Sequence, residues 1–285
     1  MNTPTAPVED RPMHAVRDAS PTPTEGPDRV HRHLPAWRRL IGLMRFEFRL
    51  LTKQRTTVIM TLAAPAFLLA FPLLSEPGSE AEWLALLPPM SVLVLLVSSY
   101  VTTATTITNR RENQVFKRLR TTELTRTQML TGLLAPLALI GVGQVMAVIG
   151  GYRLLGAPPP TNPGLLAAAV LATTLLSVVA GVTTATFAAN NERVQLVSFP
   201  LLLIGAIAAN VLMNPAAGDD RWLVLLAPFA ACADLIARGL GAPPQLLAQV
   251  PVAVAPVIVD LGLIAAWGLA FALLAVRRWK WEPRS

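Results

Sequence analysis

The sequence is short of cysteine and of charge. Its single cysteine, Cys232, excludes an intramolecular disulfide framework. Only 14% of the 285 residues are charged, and a water-soluble domain usually carries about a quarter, so a single soluble domain is excluded. Apolar runs of roughly 20 residues recur instead, the length of a helix that crosses the hydrocarbon core of a bilayer. The composition predicts an all-α membrane protein.

Motifs for nucleotide hydrolysis, metal binding and nucleophilic catalysis are also missing from the sequence. It has no GxxxxGK[ST] phosphate loop, no HExxH or paired CxxC spacing and no GxSxG elbow. We interpret His14, His31 and His33 as solvated residues of a linker, in preference to a metal site. We therefore predict that this chain has no catalytic residue and binds no metal or cofactor. Energy for any driven process then has to come from another chain or from an ion gradient.

Six apolar stretches predict six transmembrane helices within a domain at 56–276. The predicted spans are about 57–75, 84–108, 132–152, 164–188, 196–213 and 252–276. Proline inside them does not count against helices, because membrane helices tolerate it. Residues 214–251 are broken by proline, glycine and charged residues. That pattern favours short outer re-entrant or interfacial helices over a hidden seventh span.

Three further segments flank the predicted spans. Residues 1–34 hold few large apolar side chains, which predicts a disordered cytoplasmic tail, and the first 33 residues lack the apolar stretch of a secretory signal. Residues 35–55 separate apolar and basic side chains onto opposite helix faces, as interfacial amphipathic helices do; a helix packed on a soluble core is the alternative. Residues 277–285 are predicted to form a second cytoplasmic tail.

The placement of Lys and Arg sets the predicted orientation. With both termini in the cytoplasm, 21 of the 24 Lys and Arg residues fall on the cytoplasmic side. Only Arg153, Arg221 and Arg238 fall outside. The same distribution argues against nucleic acid as a partner, because the basic charge follows membrane topology. We expect a multi-pass protein surrounded by the lipids of a bacterial-type cell membrane.

A few polar side chains within the spans are candidates for a pathway or gate. Asp260 lies about eight residues from the predicted outer end of the sixth span, or roughly 12 Å deep at 1.5 Å per residue. An acid at that depth should face protein or water; the alternative is a structural partner for a neighbouring polar helix. Asn210, Thr102 and Thr106 are the other candidates. One functional hypothesis is a stand-alone secondary transporter or channel that uses Asp260.

The loop after the second predicted span is densely charged but also patterned. Between residues 110 and 126, eight of 17 residues are charged. Each charge costs about 2.5–3.5 kcal/mol at the bilayer centre, so the loop should stay in the cytoplasm. Val115, Phe116 and Leu119 recur among the charges at near-helical spacing. This predicts a short amphipathic helix, whereas a plain positive-inside loop predicts the charges alone.

This loop resembles the coupling segment of type-2 ABC exporter permeases. These are the membrane subunits of drug, lipid and polysaccharide exporters, including the daunorubicin-resistance type, and their basic "RE…LKRLR…PL" segment docks on the ATPase. The matching residues here are Arg111, Glu112, Phe116, Lys117, Arg118, Leu119 and Arg120. Leu124 matches the closing leucine, and Glu123 stands where many members have proline. Pro228 and Arg238 match the family's outer segment between the last two spans.

The resemblance implies a permease subunit of an ATP-driven exporter. Two permease chains, identical or paralogous, would enclose a pathway for an amphipathic or hydrophobic substrate such as a drug, antibiotic or lipid. A separate ATPase subunit would carry ATP and Mg and dock on the coupling helix, whose charges, including Arg111 and Glu112, would face it. A membrane scaffold or immunity protein without transport is a third hypothesis.

Overall fold

A computed structural model describes residues 36–53, 55–115, 125–214, 216, 218–251 and 253–279. Every regular element in these ranges is helical, which confirms the predicted all-α class. The elements are α1 (Ala36–Lys53), α2 (Arg55–Ser75), α3 (Glu80–Leu95), a π segment (Leu96–Val101), α4 (Thr102–Glu112), α5 (Arg126–Leu154), α6 (Pro163–Phe187), α7 (Asn191–Leu212), a 3-10 helix (Asp219–Leu226), α8 (Ala230–Leu240) and α9 (Pro256–Arg278). The predicted tail at 1–34 and residues 280–285 of the tail predicted at 277–285 lie outside the described residues, whereas Arg277 and Arg278 form the last turn of α9.

Five of the described helices are long and apolar enough to cross a membrane. They are Glu80–Glu112, Gln128–Leu154, Pro163–Phe187, Asn191–Leu212 and Pro256–Arg278. These helices fall where the second to sixth spans are predicted. The first predicted span falls on α2, whose part from Pro65 to Ser75 is a shorter apolar helix. We call the helix Glu80–Glu112, which joins α3, the π segment and α4, span 2.

Side chains at the helix starts satisfy the first free amide groups. Thr125 and Gln128 form a reciprocal capping box at the start of α5. The Oδ1 atoms of Asn162 and Asn190 accept from the amides of Leu165 and Arg193, both at 3.0 Å. The structure therefore begins α5, α6 and α7 where their sequences carry capping residues.

The π segment interrupts span 2 at its middle. It places Tyr100 in the interior with no exposed surface. At this level span 2 lies tightly against α6: a Cβ added to Gly181 would lie 2.6 Å from the carbonyl oxygen of Tyr100 and 2.7 Å from Cβ of Thr103. π turns in α-helices often occur at functional sites. The π segment therefore marks the contact between span 2 and α6 as a candidate functional region.

Helix α6 is central to the bundle. It contacts α4, α5, α7, α8, α9 and the π segment. The helices run between two ends, which we name by their contents. The basic end holds α1, residues 109–115, 125–130, 188–193 and 276–279, and the opposite end holds α8. At the basic end, the Arg278 guanidinium lies 4.5 Å from the ring centre of Phe187, which joins α9 to α6.

Helix α8 is short and almost entirely buried between α3, α6, α7 and α9. The 3-10 helix before it is bent from it by 114° at residues 227–229, so the pair is a broken span or a re-entrant loop. Phe229 makes this bend with φ of +69°, in the left-handed region that a bulky residue rarely adopts. A straight seventh span is therefore absent from this part of the described chain.

Candidate functional site

Span 2 reaches the basic end further along the chain than the apolar stretch suggests. Its last part, α4, continues to Glu112, and the amide of Asn113 still donates to the carbonyl of Asn109 at 3.0 Å. Gln114 then leaves the helix with φ of +54°, and its amide donates to the carbonyl of Arg111 at 3.1 Å. This left-handed residue ends the helix, a position where glycine is usual. Arg111 and Glu112 thus belong to the last turn of the spanning helix.

Arg111 binds the carboxyl end of α6. Its side chain is only 5% exposed. One terminal nitrogen donates to the carbonyl oxygen of Ala185 at 3.1 Å, and the other donates to the carbonyl oxygen of Ala188. The last carbonyls of a helix lack intrahelical partners and carry its negative dipole end, so a guanidinium satisfies both needs there.

Glu112 binds the amino end of the next helix. Its carboxylate Oε1 accepts from the backbone amide of Asn191, the first residue of α7, at 2.9 Å. A carboxylate is favourable at this position because the first amides of a helix are unpaired and carry its positive dipole end. Adjacent residues of opposite charge therefore hold the two helix ends on either side of residues 188–190. We call this pair the Arg111–Glu112 clamp.

A second charged cluster lies at the opposite end of the bundle. Arg238 of α8 pairs with Asp234 one turn earlier, with its terminal nitrogen 2.6 Å from Oδ2 of the acid. Its Nε also lies 3.2 Å from Oδ2 of Asp260 in α9. Asp234 accepts in addition from the amide of Ala248 at 2.9 Å, and Arg238 donates to the Ala248 carbonyl at 3.1 Å. The cluster ties α8, α9 and the loop at 241–248 together.

Comparison with known families decides the broad identity. Residues 70–277 match the model of a family described as ABC-2 family transporter protein. The chain belongs to this family. A search of the curated proteins finds no match. The ABC-2 chain is therefore a multi-pass membrane permease subunit of an ABC transporter, whose family implies association with a separate ABC ATPase subunit and is normally non-catalytic itself.

The predicted coupling residues of the ABC-2 chain fall into two groups. Phe116, Lys117, Arg118, Leu119 and Arg120 lie outside the described residues, so their assignment stays a prediction. Arg111 and Glu112 are described, and the direction predicted for Arg111 needs correction. We expected its charge to face the ATPase, but the guanidinium is buried against α6 because it caps that helix.

The pathway candidates of the permease are dispersed. Asp260 follows the helix start at Pro256 by four residues, about 6 Å at 1.5 Å per residue. The prediction counted eight residues from residue 252, whereas α9 begins at Pro256. Asp260 is 1% exposed and contacts Arg238 of α8. This is the arrangement expected if Asp260 is a structural partner of a neighbouring polar helix.

Asn210, Thr102 and Thr106 do not join Asp260 in one site. Asn210 is exposed on α7, and its Nδ2 donates to the carbonyl of Ala206 in the same helix at 2.9 Å. Thr102 is half-buried, and its hydroxyl donates to the carbonyl of Val97 at 3.4 Å. Thr106 is also half-buried on α4. None of the hydrogen bonds or ion pairs among the described residues joins two of these four candidates.

Two residues of this permease with structural importance were not singled out from the sequence. Asp234 precedes Arg238 by four residues, a spacing that places opposite charges on one helix face and could have identified the pair. Tyr100 is one apolar residue in an apolar run, so no sequence signal identified it. Its hydroxyl donates to the carbonyl of Ser198 in α7 at 3.0 Å, and it lies 3.1 Å from the hydroxyl of Thr184 in α6.

Buried hydroxyl groups surround the π segment of the permease. Those of Ser98, Ser99, Thr103 and Ser177 are buried without a hydrogen-bond partner among the described residues. Ser99 lies directly against Gly141 of α5, where an added Cβ would collide with its hydroxyl. Gly181 in α6 lets span 2 approach closely, as small residues do at helix contacts in membranes.

Proposed function

We propose that this chain forms the transmembrane pathway of an ATP-driven exporter, as a dimer with separate ATPase subunits. The dimer consists of two copies of the chain or of this chain with a paralogous permease. The substrate is amphipathic or hydrophobic, such as a drug, an antibiotic or a lipid. The chain resides in a bacterial-type cell membrane with both termini in the cytoplasm, and ATP with Mg is bound by the partner subunit.

The observation that carries this proposal is the attachment of the loop between span 2 and α5. The loop leaves span 2 directly after the Arg111–Glu112 clamp, and it re-enters at the Thr125 cap of α5. Force applied to residues 113–125 by a bound ATPase would reach α4, α5, α6 and α7 through these attachments. The many Lys and Arg residues of the sequence at this end favour the cytoplasmic side, where such an ATPase would reside.

The mechanism follows from that attachment. ATP supplies the energy on the partner subunit, and this chain converts the closure of the ATPase pair into movement of its helices. In this proposal the coupling helix would carry apolar residues toward the membrane (Val115, Phe116 and Leu119) and the charges of Lys117, Arg118 and Arg120 toward the ATPase. Alternating access of the pathway between the two chains is the result of the movement.

The charge-reversal variant Arg118→Glu/Arg120→Glu tests the proposal. We expect it to insert in the membrane but to lose both stimulation of ATP hydrolysis by the co-purified ATPase and ATP-dependent uptake of daunorubicin into inverted vesicles. The matched control reverses two exposed basic residues of α1, Arg45→Glu/Lys53→Glu, and should retain both activities. Unchanged uptake and stimulation in the Arg118→Glu/Arg120→Glu variant would contradict the assignment of this loop.

Two further measurements test the finer parts of the proposal. The mass of the purified complex in lipid nanodiscs should correspond to two permease chains and two ATPase subunits. Uptake should depend on hydrolysable ATP and persist when a protonophore removes the proton gradient. Uptake that continues without any ATPase but stops with the protonophore would favour an ion-driven secondary transporter instead.

A further inference from the structure

The Arg111–Glu112 clamp uses neighbouring residues to hold helix ends of opposite polarity. Phe187 ends α6 and Asn191 begins α7, so only residues 188–190 separate the negative end of one helix dipole from the positive end of the next. Arg111 contacts the negative end, and Glu112 contacts the positive end. Each charge faces the helix end that it stabilises, and neither could exchange places with the other.

A second contact joins the same three helices nearer the bundle centre. The hydroxyl of Tyr100 has one hydrogen, which it donates to Ser198 of α7, so the Thr184 hydroxyl of α6 donates to Tyr100. Tyr100 is completely buried. Span 2 thus holds α6 and α7 at two heights, eleven residues apart from Tyr100 to Arg111. Two separated contacts resist rotation of the three helices against one another, which one contact alone would allow.

The clamp is also placed where the loop begins. Gln114, two residues after Glu112, is already outside the helix, with its φ of +54°. Displacement of the loop therefore acts on the helix turn that carries Arg111 and Glu112 before it acts on any other part of span 2. Glu192 and Arg193 in the first turn of α7 are also at the basic end and are exposed. They do not lie in the helix turn from which the loop begins.

We propose that Arg111 and Glu112 are positioning residues that make span 2, α6 and α7 move as one body when the loop at 113–125 is displaced. This inference rests on the proposed function, because it requires an ATPase that acts on the loop. The clamp transmits the movement and does not form the docking surface. Loss of the clamp leaves the ATPase bound while α7 no longer follows it.

The sharpest test exchanges the two charges in the variant Arg111→Glu/Glu112→Arg. The exchange conserves net charge and any attraction between the two side chains, but it puts an acid at the carboxyl end of α6 and a base at the amino end of α7. The matched control exchanges the neighbouring exposed pair in Glu192→Arg/Arg193→Glu. The milder variant Glu112→Gln keeps an oxygen that accepts from the Asn191 amide, and Glu112→Ala removes it.

Movement of α7 is followed with a bimane fluorophore on Val211→Cys, at the exposed far end of that helix. Cys232 is the chain's own cysteine and is fully buried, so the introduced thiol is the accessible one. Each variant is purified with its ATPase in nanodiscs, and co-purification and permease-stimulated ATP hydrolysis are measured first. ATP with vanadate, which arrests hydrolysis, is then added and the bimane signal is recorded.

We expect the Arg111→Glu/Glu112→Arg variant to retain the ATPase but to lose the bimane response. Stimulated hydrolysis should fall at least tenfold, because tenfold corresponds to losing one hydrogen bond to a charged group and the exchange removes three. Glu112→Ala should behave similarly, Glu112→Gln should recover most of the response, and the Glu192–Arg193 exchange should resemble the unaltered chain. Partial recovery by glutamine separates positioning from docking, because docking charges would not be replaced by a neutral amide.

Two results would overturn the inference while the proposed function stands. If the unaltered chain shows the bimane response and the exchanged variant shows it undiminished, the clamp does not transmit and the proposed function stands. If the exchanged variant loses the ATPase itself, Arg111 and Glu112 belong to the docking surface. Failure of the unaltered chain to retain any ATPase would instead contradict the proposed function, and the inference with it.

Discussion

Arg238 of α8 and Asp260 of α9 are joined across two helices, with Nε of the guanidinium 3.2 Å from Oδ2 of the carboxyl group. The same guanidinium serves Asp234, which is completely buried. Replacing Arg238 with Met leaves two buried acids without their base, and removing one partner of a buried pair costs about 3–5 kcal/mol. We expect Arg238→Met to lower the melting temperature of the purified chain strongly. The control Arg193→Met, which replaces an exposed arginine of α7 at the basic end, should melt close to the unaltered chain.

The two acids of this cluster should respond unequally to neutralisation. Asp234 accepts from the Ala248 amide and from two nitrogens of Arg238, whereas Asp260 accepts from one nitrogen of Arg238 and lies beside Asp234. We expect Asp234→Asn to destabilise the chain by about 2 kcal/mol, because hydrogen bonds to charged groups are lost, and Asp260→Asn to cost less. Thermal melting of the two variants side by side gives the order. The reverse order would contradict the contacts assigned to Asp234.

Asp260→Asn also addresses the secondary-transport hypothesis. An essential ion-coupling acid would abolish transport when neutralised. Under the proposed function, neutralising a structural partner of Arg238 would leave ATP-dependent uptake largely intact, measured with daunorubicin as the probe. We expect the second result, because the carboxyl group is 1% exposed and directed at Arg238. Complete loss of uptake in a variant that still melts normally would favour the transport role.

Gly181 should not tolerate a side chain. An added Cβ would lie 2.6 Å from the Tyr100 carbonyl oxygen, which is backbone and cannot rotate away. Overpacking of this kind typically costs about 1–3 kcal/mol, so Gly181→Ala should lower the melting temperature. Gly262→Ala is the matched control, because that glycine has nothing within 4 Å of the added Cβ. Equal melting of the two variants would show that span 2 and α6 are not in close contact at Tyr100.

Gln114 is a position where glycine should improve stability. Its φ of +54° lies in the left-handed region, which costs a residue with Cβ roughly 1–2 kcal/mol. Gln114→Gly should therefore raise the melting temperature or leave it unchanged. The same substitution at the neighbouring Asn113, with φ of −77°, should lower it, because glycine there gains freedom in the unfolded chain and removes the hydrogen bond from Nδ2 of Asn113 to the Asn109 carbonyl. A destabilised Gln114→Gly variant would argue against this ending of α4.

Much of the fold could be predicted from apolar stretches alone. The second to sixth predicted spans fall on long apolar helices because a hydrocarbon interior requires a continuous run of apolar residues. The break after span five was also indicated by Pro228 and Gly239. Hydropathy predicts neither the bend of 114° nor the burial of α8, because both depend on the helices that surround α8.

The candidate site was less predictable, for physical reasons that differ between residues. The position of Arg111 in a basic loop indicated the charge but not its direction, because the receiving carbonyls of Ala185 and Ala188 lie more than 70 residues away in sequence. Asp260 was identified as a buried acid, but its partner Arg238 lies on another helix. Contacts between distant segments are the part of a site that a single sequence does not record.

The π segment changes the direction in which side chains project along span 2. An α-helix advances about 100° per residue, and a π turn spreads the same turn over more residues. One helical wheel drawn from Glu80 to Glu112 would therefore be out of phase for every residue after Val101. In a scan of single substitutions across span 2, sensitive positions should follow one phase up to Leu95 and a rotated phase from Thr102 onward. The buried positions of the two halves of this helix therefore follow the same helical period with different phases.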